Sequence, residues 1–517
     1  MNTELFCSQV NTVVNRAGGT AYAMTDKHAL AQYAVTGCFG NTYYASASDQ
    51  LKDVVALAKK CSPLYVAKVA VYARKAGKMK DMPAVLLAYL ASINTDESRM
   101  ALRLAFPHVC NDVKMVRNFV QAIRSGQFGR KSLGSLPKRL VRDFINGLTG
   151  EQLFRQSIGN SPSLSDVIKM VHPRPNDEAR KNLYGYLTGN KYDESMLPDS
   201  VQAFETYKRN GGDLPDVPFQ MLTALTLSGS DWTSIARRAT WNQIRQNLNT
   251  FNRHGVFADD SAVQLIAGKL ADEREVKRSN CFPYQLMMAY LATETVPYQI
   301  SDALQTAMEH AVQNVPAIDG KVYVFPDVSA SMDNSVTGYR EAATSKVRCV
   351  DVAALVASAV MRKNPTAEVL PFENTVVSLR LNPRDSIMTN ARLIADVGGG
   401  GTNCSAPLAE LNRRNATGDV IIYVSDNESW VDSNQQNSRR RNNATKTMKQ
   451  WNIFKARNPN AKMICIDIQP NTTAQTVNGN DILNVGGWSD SCFDVISSFI
   501  GGDSSRWVNV IESVELI

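Results

Sequence analysis

From about residue 50 to residue 315 apolar positions recur with the three-and-four spacing of helices that bury one face, and the runs are interrupted by proline and glycine, not by strand-like alternation. In LKDVVALAKKCSPLYVAKVAVYARKAGKMKDMPAVLLAYLAS, Pro63 and Pro83 stand near the starts of successive helices, where proline suits a first turn. Comparable units recur at FPHVCNDVKMVRNFVQAIRSG, LSDVIKMVHP, DESMLPDSVQAFETYKRN, FQMLTALTLSG, SDWTSIARRATWNQIRQNLNTFNRHG and SAVQLIAGKLADE, with no fixed period. The pattern predicts a row of short antiparallel helices, a degenerate repeat array in place of a single bundle. From residue 321 the texture changes. Short β-rich runs (KVYVFPD, AEVLPFE, GDVIIYVSD, AKMICIDI) alternate with amphipathic stretches such as VRCVDVAALVASAVMRK, SIMTNARLIADV and ATKTMKQWNIFKA, with SCFDVISSFI closing the series. Such alternation predicts a mostly parallel, doubly wound sheet. The boundary falls in NVPAIDG, between Asn314 and Gly320, dividing the chain into a helical domain over 1–318 and an α/β domain over 319–517.

Composition narrows the classes. A chain of 517 residues, 44% apolar and 20% charged, is globular and long enough for two or more cores. Its nine cysteines are scattered singly with no CxxC pair, which suits neither a disulfide framework nor a zinc ribbon and points to a reducing compartment. The opening MNTELFCSQVNT lacks the basic and apolar regions of a secretory signal, and no run approaches the roughly 20 apolar residues that span a bilayer. A cytoplasmic protein without a membrane partner is expected. The net charge of +7 suits acidic partners such as nucleic acid, or simply a solvated surface.

Ligands of open α/β sheets collect beyond the carboxyl ends of the strands. Three loops qualify: Asp327-Val-Ser329-Ala-Ser331 after KVYVFP, Gly398-Gly-Gly-Gly-Thr402 after the helix expected over 386–397, and Asp426-Asn-Glu428 after DVIIYVS. Carboxylate and hydroxyl oxygens are the ligands a hard cation such as Mg2+ or Mn2+ requires. The DxSxS spacing lets Ser329 and Ser331 present hydroxyls to one ion while Asp327 supplies charge; Thr402 adds a hydroxyl and Asp426 stands opposite. The glycines before Thr402 allow backbone conformations that a side chain would forbid. Asp and Ser also cap helices and strand ends, but Thr402 and Asp426 at matching positions favour a metal.

This set resembles the metal-ion-dependent adhesion site of von Willebrand factor A domains. The resemblance implies that the serines and the threonine bind the ion directly, that the aspartates act mainly through water, and that one position is left for an acidic ligand group. The helical half resembles the TROVE module of the Ro ribonucleoprotein autoantigens, through YARKAGKMKDMPAVLLAYLA at 72–91, SGQFGRKSL at 125–133, LSDVIKMVHPRP at 164–175 and WNQIRQNLNTFNRHGVF at 241–257. DVSASM, GGTNCSAP and SDNES are similar to the Ro versions of the metal-site loops. The Ro resemblance implies a HEAT-like helical ring completed by the von Willebrand A domain. It implies Y RNA-like small noncoding RNA on the outer basic surface, single-stranded RNA 3′ ends in a central hole, and an exoribonuclease partner. One divalent cation is expected, Mg2+ foremost with Mn2+ and Ca2+ as alternatives, together with an acidic protein ligand for it and a monomeric protein within the ribonucleoprotein.

The residues can be weighed beside the resemblance. The stretch from Arg124 to Arg142 carries Arg124, Arg130, Lys131, Lys138, Arg139 and Arg142 and no acid, a composition suited to phosphate contacts. On a helix beginning near Pro137, Lys138, Arg139 and Arg142 share one face, and Leu140, Val141, Phe144 and Leu148 the other. Lys169, His172 and Arg174 project from the end of the next matching segment; His172 there suits either RNA or the last carbonyls of its helix. Arg245 matches a family arginine but reads as a structural ion-pair partner. Two departures stand out: Asn403 follows Thr402 where Ro-type sequences often carry an acid, and the insertion SNQQNSRRRNNATK adds Arg439, Arg440 and Arg441 in a polar loop. An enzyme is disfavoured, because the chain has five histidines and no Walker A, HExxH, GxSxG or DFG-type set. The expected function is a non-catalytic Ro-type scaffold in RNA maturation, stability or quality control; the alternative is a metal-dependent protein-interaction module with no RNA role.

Overall fold

The computed structural model describes residues 12–37, 39–159, 161–279, 281, 283–291, 293, 295–313, 315–336, 347–431, 444–487, 489–502 and 506–517. Arg439 to Arg441 and the boundary residue Asn314 lie outside the described residues. The chain forms two compact units: one of Met1–Cys61, Val276–Leu291 and Leu304–Ser513, the other of Ser62–Glu275, Ala292–Ala303 and Val514–Ile517.

The first unit is built on strands β1 (Thr12–Val14), β2 (Thr20–Ala23), β3 (Val322–Pro326), β4 (Glu368–Val369), β5 (Val420–Ser425), β6 (Lys462–Asp467), β7 (Thr473–Ala474) and β8 (Ile482–Gly486). Five of them form one sheet in the order β4-β3-β5-β6-β8, and every pairing in it is parallel. VYVFP and VIIYVS are buried along their whole length, as strands covered on both faces must be. The chain leaves β3, passes through the helix Cys349–Lys363 to β4 on one side, and later returns to β5 on the other, so the order reverses between β3 and β5. A crevice for ligands opens at that reversal in doubly wound sheets. One face of the sheet packs Phe325 edge-on against Tyr423, with ring centroids 4.8 Å apart, and Phe372 on the same tyrosine. Trp451 and Phe454, both fully buried, close this core from the helix Lys446–Arg457.

A boundary at 318/319 assigns the first 61 residues to the helical domain, yet they belong to the unit that holds the sheet. β1 and β2 form a hairpin whose β2 pairs antiparallel with β7, and Gln32 from the helix Asp26–Thr36 donates from Nε2 to the carbonyl of Gln469 at 2.9 Å. The strands are three and four residues long and their partner lies some 450 positions further on, so no local alternation marks them.

The second unit is helical, with a repeated local cause. Ser62, Thr95, Asp112, Thr149, Ser163, Asp177, Ser228 and Thr240 each accept a backbone N–H from their own first turn, fixing the start of eight short helices. Pro63 stands at the first helical position and Pro83 in the first turn of Asp81–Ser92. Pro63–Lys75 packs on Asp96–Val109, and Asp81–Ser92 on Val113–Arg124. Each helix therefore meets the next but one, as stacked helical repeats do.

Candidate metal centre and nucleic-acid interface

Asp327 follows β3 and Asp426 follows β5, so the strand reversal sets their carboxylates side by side. Asp327 Oδ1 accepts the Ser329 N–H at 2.9 Å and Oδ2 accepts the Ser425 hydroxyl at 2.6 Å. The Thr402 hydroxyl donates to Ser329 Oγ at 2.9 Å, and Ser329 and Ser331 are 3.3 Å apart through their hydroxyl oxygens; the Ser331 hydroxyl favours the charged form of Asp426. All five residues singled out in the sequence thus meet in one buried cluster. Gly398 holds it open: its φ is +94°, and a Cβ there would lie 2.3 Å from the Val328 carbonyl oxygen. A Cβ on Gly401 would lie 2.4 Å from the Trp430 indole nitrogen.

The electrostatics ask for a cation. Burial, and then the neighbouring Asp426, push the Asp327 carboxyl up to about 7; burial raises Asp426 as well. Neither aspartate is ion-paired among the described residues. Among those residues there is also no cluster of three or more His, Cys, Asp or Glu side chains spaced for a metal, so an ion here would draw on hydroxyls beside two carboxylates. That donor set fits a hard divalent cation and not a soft one.

Other participants come from within the Asp426 loop and from far along the chain. Glu428 is buried, raised to about 7 by burial and by Asp426, and its Oε2 accepts the Ala17 N–H at 3.2 Å. Asn15 Nδ2 donates to the Ser429 carbonyl at 2.8 Å, so residues 15–17 are sewn to the loop that carries Asp426. Burial, and after it the Asp426 carboxylate, hold the Tyr44 hydroxyl well above its usual range. These contacts span hundreds of residues of sequence, and no spacing rule finds them.

In the helical unit, the Arg124 guanidinium lies 3.3 Å from Met170 Sδ, and Arg142 Nε donates to the Val171 carbonyl at 3.1 Å. These contacts set the end of Leu164–Val171 against both Val113–Arg124 and Ser135–Gly147. Arg124, Lys131, Arg139, Lys169, His172 and Arg174 are exposed, while Lys138 and Arg142 are half-buried. His172 closes its helix in the left-handed conformation, at φ 50°. Arg130 is turned inward, donating to the carbonyls of Ala91, Ser132 and Leu133, which makes it a clamp on its own loop. The buried face of Ser135–Gly147 consists of Pro137, Val141 and Ile145; Leu140 and Phe144 are only partly covered, as is Leu148, which follows the helix as its extended C-cap. Arg245 is half-buried in Trp241–Arg253.

A helical-repeat region preceding a doubly wound domain with a hydroxyl-rich site at its strand reversal defines the class: a helical scaffold joined to a von Willebrand A domain. Residues 321–500 match the model of the Ro60 vWA domain. The chain is 22% identical over 451 residues to the RNA-binding protein RO60 of Deinococcus radiodurans, covering 81% of this chain and 84% of that one. It is 23% identical over 184 residues to the RNA-binding protein RO60 of Caenorhabditis elegans, covering 34% and 28%. The crystal structure of the Deinococcus radiodurans Ro protein superposes with a TM-score of 0.61 at 20% identity, over 92% of this chain and 100% of that one. The protein is Ro-like in its fold and in the sequence of its C-terminal domain.

Proposed function

We propose that this chain is a non-catalytic RNA-binding protein of the Ro type, a cytoplasmic scaffold for structured small noncoding RNA of the Y type and for single-stranded RNA 3′ ends, working beside an exoribonuclease. The observation that carries the reading is the exposed group of Arg124, Arg139, Lys169, His172 and Arg174, collected from three helices of one unit. The charges of Arg124, Arg139, Lys169 and Arg174 suit phosphates, which dominate nucleic-acid affinity. Two curated relatives bear the name RNA-binding protein. Seven described cysteines are free, in keeping with a reducing compartment, and no helix among the described residues is long and apolar enough to cross a membrane.

The α/β unit contributes a second, separate role. Ser329, Ser331 and Thr402 would hold a divalent cation, Mg2+ foremost, with Asp327 and Asp426 supplying the compensating charge. When bound, the ion supplies a Lewis-acidic anchor for an acidic side chain of a protein partner. Ser425 and the Ser329 N–H hold the Asp327 carboxylate in place. The test is to purify the protein under native conditions and sequence the RNA it carries. Recovery of discrete small RNAs, released by raising salt, is expected; a nucleic-acid-free protein with no salt-sensitive RNA binding overturns the reading in favour of a metal-dependent protein-interaction module alone.

A further inference from the structure

We infer that the end of strand β6 is a second cation site, separate from the first, where Asp467 Oδ2 and the amide oxygens of Gln32 and Gln469 take up a monovalent ion, K+ or Na+. Asp467 is the last residue of β6 and stands in parallel register with Gly486, the last residue of β8. Register partners of a parallel pair direct their Cβ positions to the same face of the sheet, and a Cβ at Gly486 would lie 2.1 Å from Gln32 Oε1. The Gln32 amide oxygen therefore occupies space beside Asp467 that a larger residue at 486 would fill. Its orientation is fixed from the other end, because Gln32 Nε2 donates to the carbonyls of Gln469 at 2.9 Å and Asp467 at 3.3 Å. Gln469 closes the group: its N–H donates to Asp467 Oδ1 at 3.1 Å, and its Nε2 donates to Cys349 Sγ.

These bonds use every donor and leave acceptors over. Asp467 Oδ2, Gln32 Oε1 and Gln469 Oε1 are buried with no hydrogen-bond partner among the described residues, in residues 1%, 0% and 9% exposed. Buried acceptors gathered at one strand end are costly unless something positive joins them. A single water has two hydrogens for the three oxygens and leaves the carboxylate charge uncompensated. The charged neighbours that act on Asp467 are Asp426 and Glu428, which add negative charge and do not balance it. The group itself carries one formal negative charge, so a monovalent ion makes it neutral, whereas a divalent ion would bury a net charge. Carbonyl oxygens readily replace the hydration shell of K+, while Mg2+ gives up its waters reluctantly. Bound there, the ion fastens the helix Asp26–Thr36 to the ends of β6 and β8.

The test compares thermal unfolding of the full chain in EDTA, at equal ionic strength, with K+ or with tetramethylammonium, which is too large for the site. Roughly 0.1 M K+ should raise the wild-type midpoint by about 3 °C or more. Asp467→Asn, whose amide can donate to a glutamine oxygen, should fold and show the same midpoint in both salts, and Asp327→Ala should keep the shift. Equal wild-type midpoints in the two salts overturn the site and leave a proton on Asp467 in the ion's place. A shift kept by Asp467→Asn, or lost in Asp327→Ala, overturns it by placing the ion elsewhere. Thallium NMR of the wild type needs no variant: a bound Tl+ that K+ displaces is expected, and its absence overturns the inference.

Discussion

The two candidate sites are made in opposite ways. The basic group of the helical unit lies on the surface, and its charges act nearly independently through solvent; the cluster after β3 and β5 is buried, and each oxygen there is held by another part of the fold. A surface of independent charges tolerates the loss of any one member. A buried cluster fails when its frame moves by an ångström. The helical unit should therefore respond to substitution in graded steps, and the α/β unit sharply.

The largest effect should come from the frame. Gly398→Ala places a Cβ against the Val328 carbonyl at a positive φ, and the α/β unit should lose about 3–4 kcal/mol in denaturant unfolding; a loss below about 1 kcal/mol would mean the loop relaxes freely and the contrast is overstated. His28 comes next. Burial lowers it to about 4, it packs edge-on to Trp507, and its Nε2 has no hydrogen-bond partner among the described residues. A group depressed from 6.5 takes up more protons unfolded than folded, so stability should be full above pH 6.5 and fall as pH drops toward 4, by up to about 3 kcal/mol. His28→Phe should flatten that slope between pH 6.5 and 4 while leaving RNA binding unchanged; an unaltered slope would place the titration elsewhere.

Smaller and graded effects belong to the helical unit. Replacing Arg139, Lys169 and Arg174 together by alanine should lower the dependence of log affinity on log salt by roughly 2–3, weakening all RNA sequences alike. An unchanged salt slope would remove this face from the interface. The smallest effect is the ion itself: Mg2+ at about ten times its dissociation constant should stabilise the α/β unit by about 1.4 kcal/mol, and Asp327→Ala with Ser329→Ala should abolish the gain without changing RNA affinity. A shift that persists in that variant would rule out these ligands.

How much of this could be read from the sequence follows from the same contrast. Asp327, Ser329, Ser331, Thr402 and Asp426 were legible because each follows a strand or a glycine run, and topology then brings strand ends together. The parts played by Glu428 and Ser425, though both stand in the SDNES loop, were not, since they depend on Ala17 and Asp327, neighbours that no spacing identifies. In the helical half charge was legible but direction was not: Arg130 and Arg139 look equivalent along the chain, yet one clamps three carbonyls and the other faces solvent. The buried stripe of the helix Ser135–Gly147 is narrower than its apolar residues suggest: Pro137, Val141 and Ile145 are covered, and Leu140 and Phe144 only partly.

The hairpin of β1 and β2 has a consequence for biosynthesis. A two-stranded hairpin of this length is marginal alone, and its partner β7 is translated some 450 residues later. At ordinary elongation rates that is an interval on the order of half a minute, during which the nascent hairpin has an unpaired edge and the residues that clasp the Asp426 loop have nothing to hold. The metal site should therefore be among the last parts of the molecule to mature, and a fragment beginning at β3 would emerge from the ribosome without the clasp that completes it.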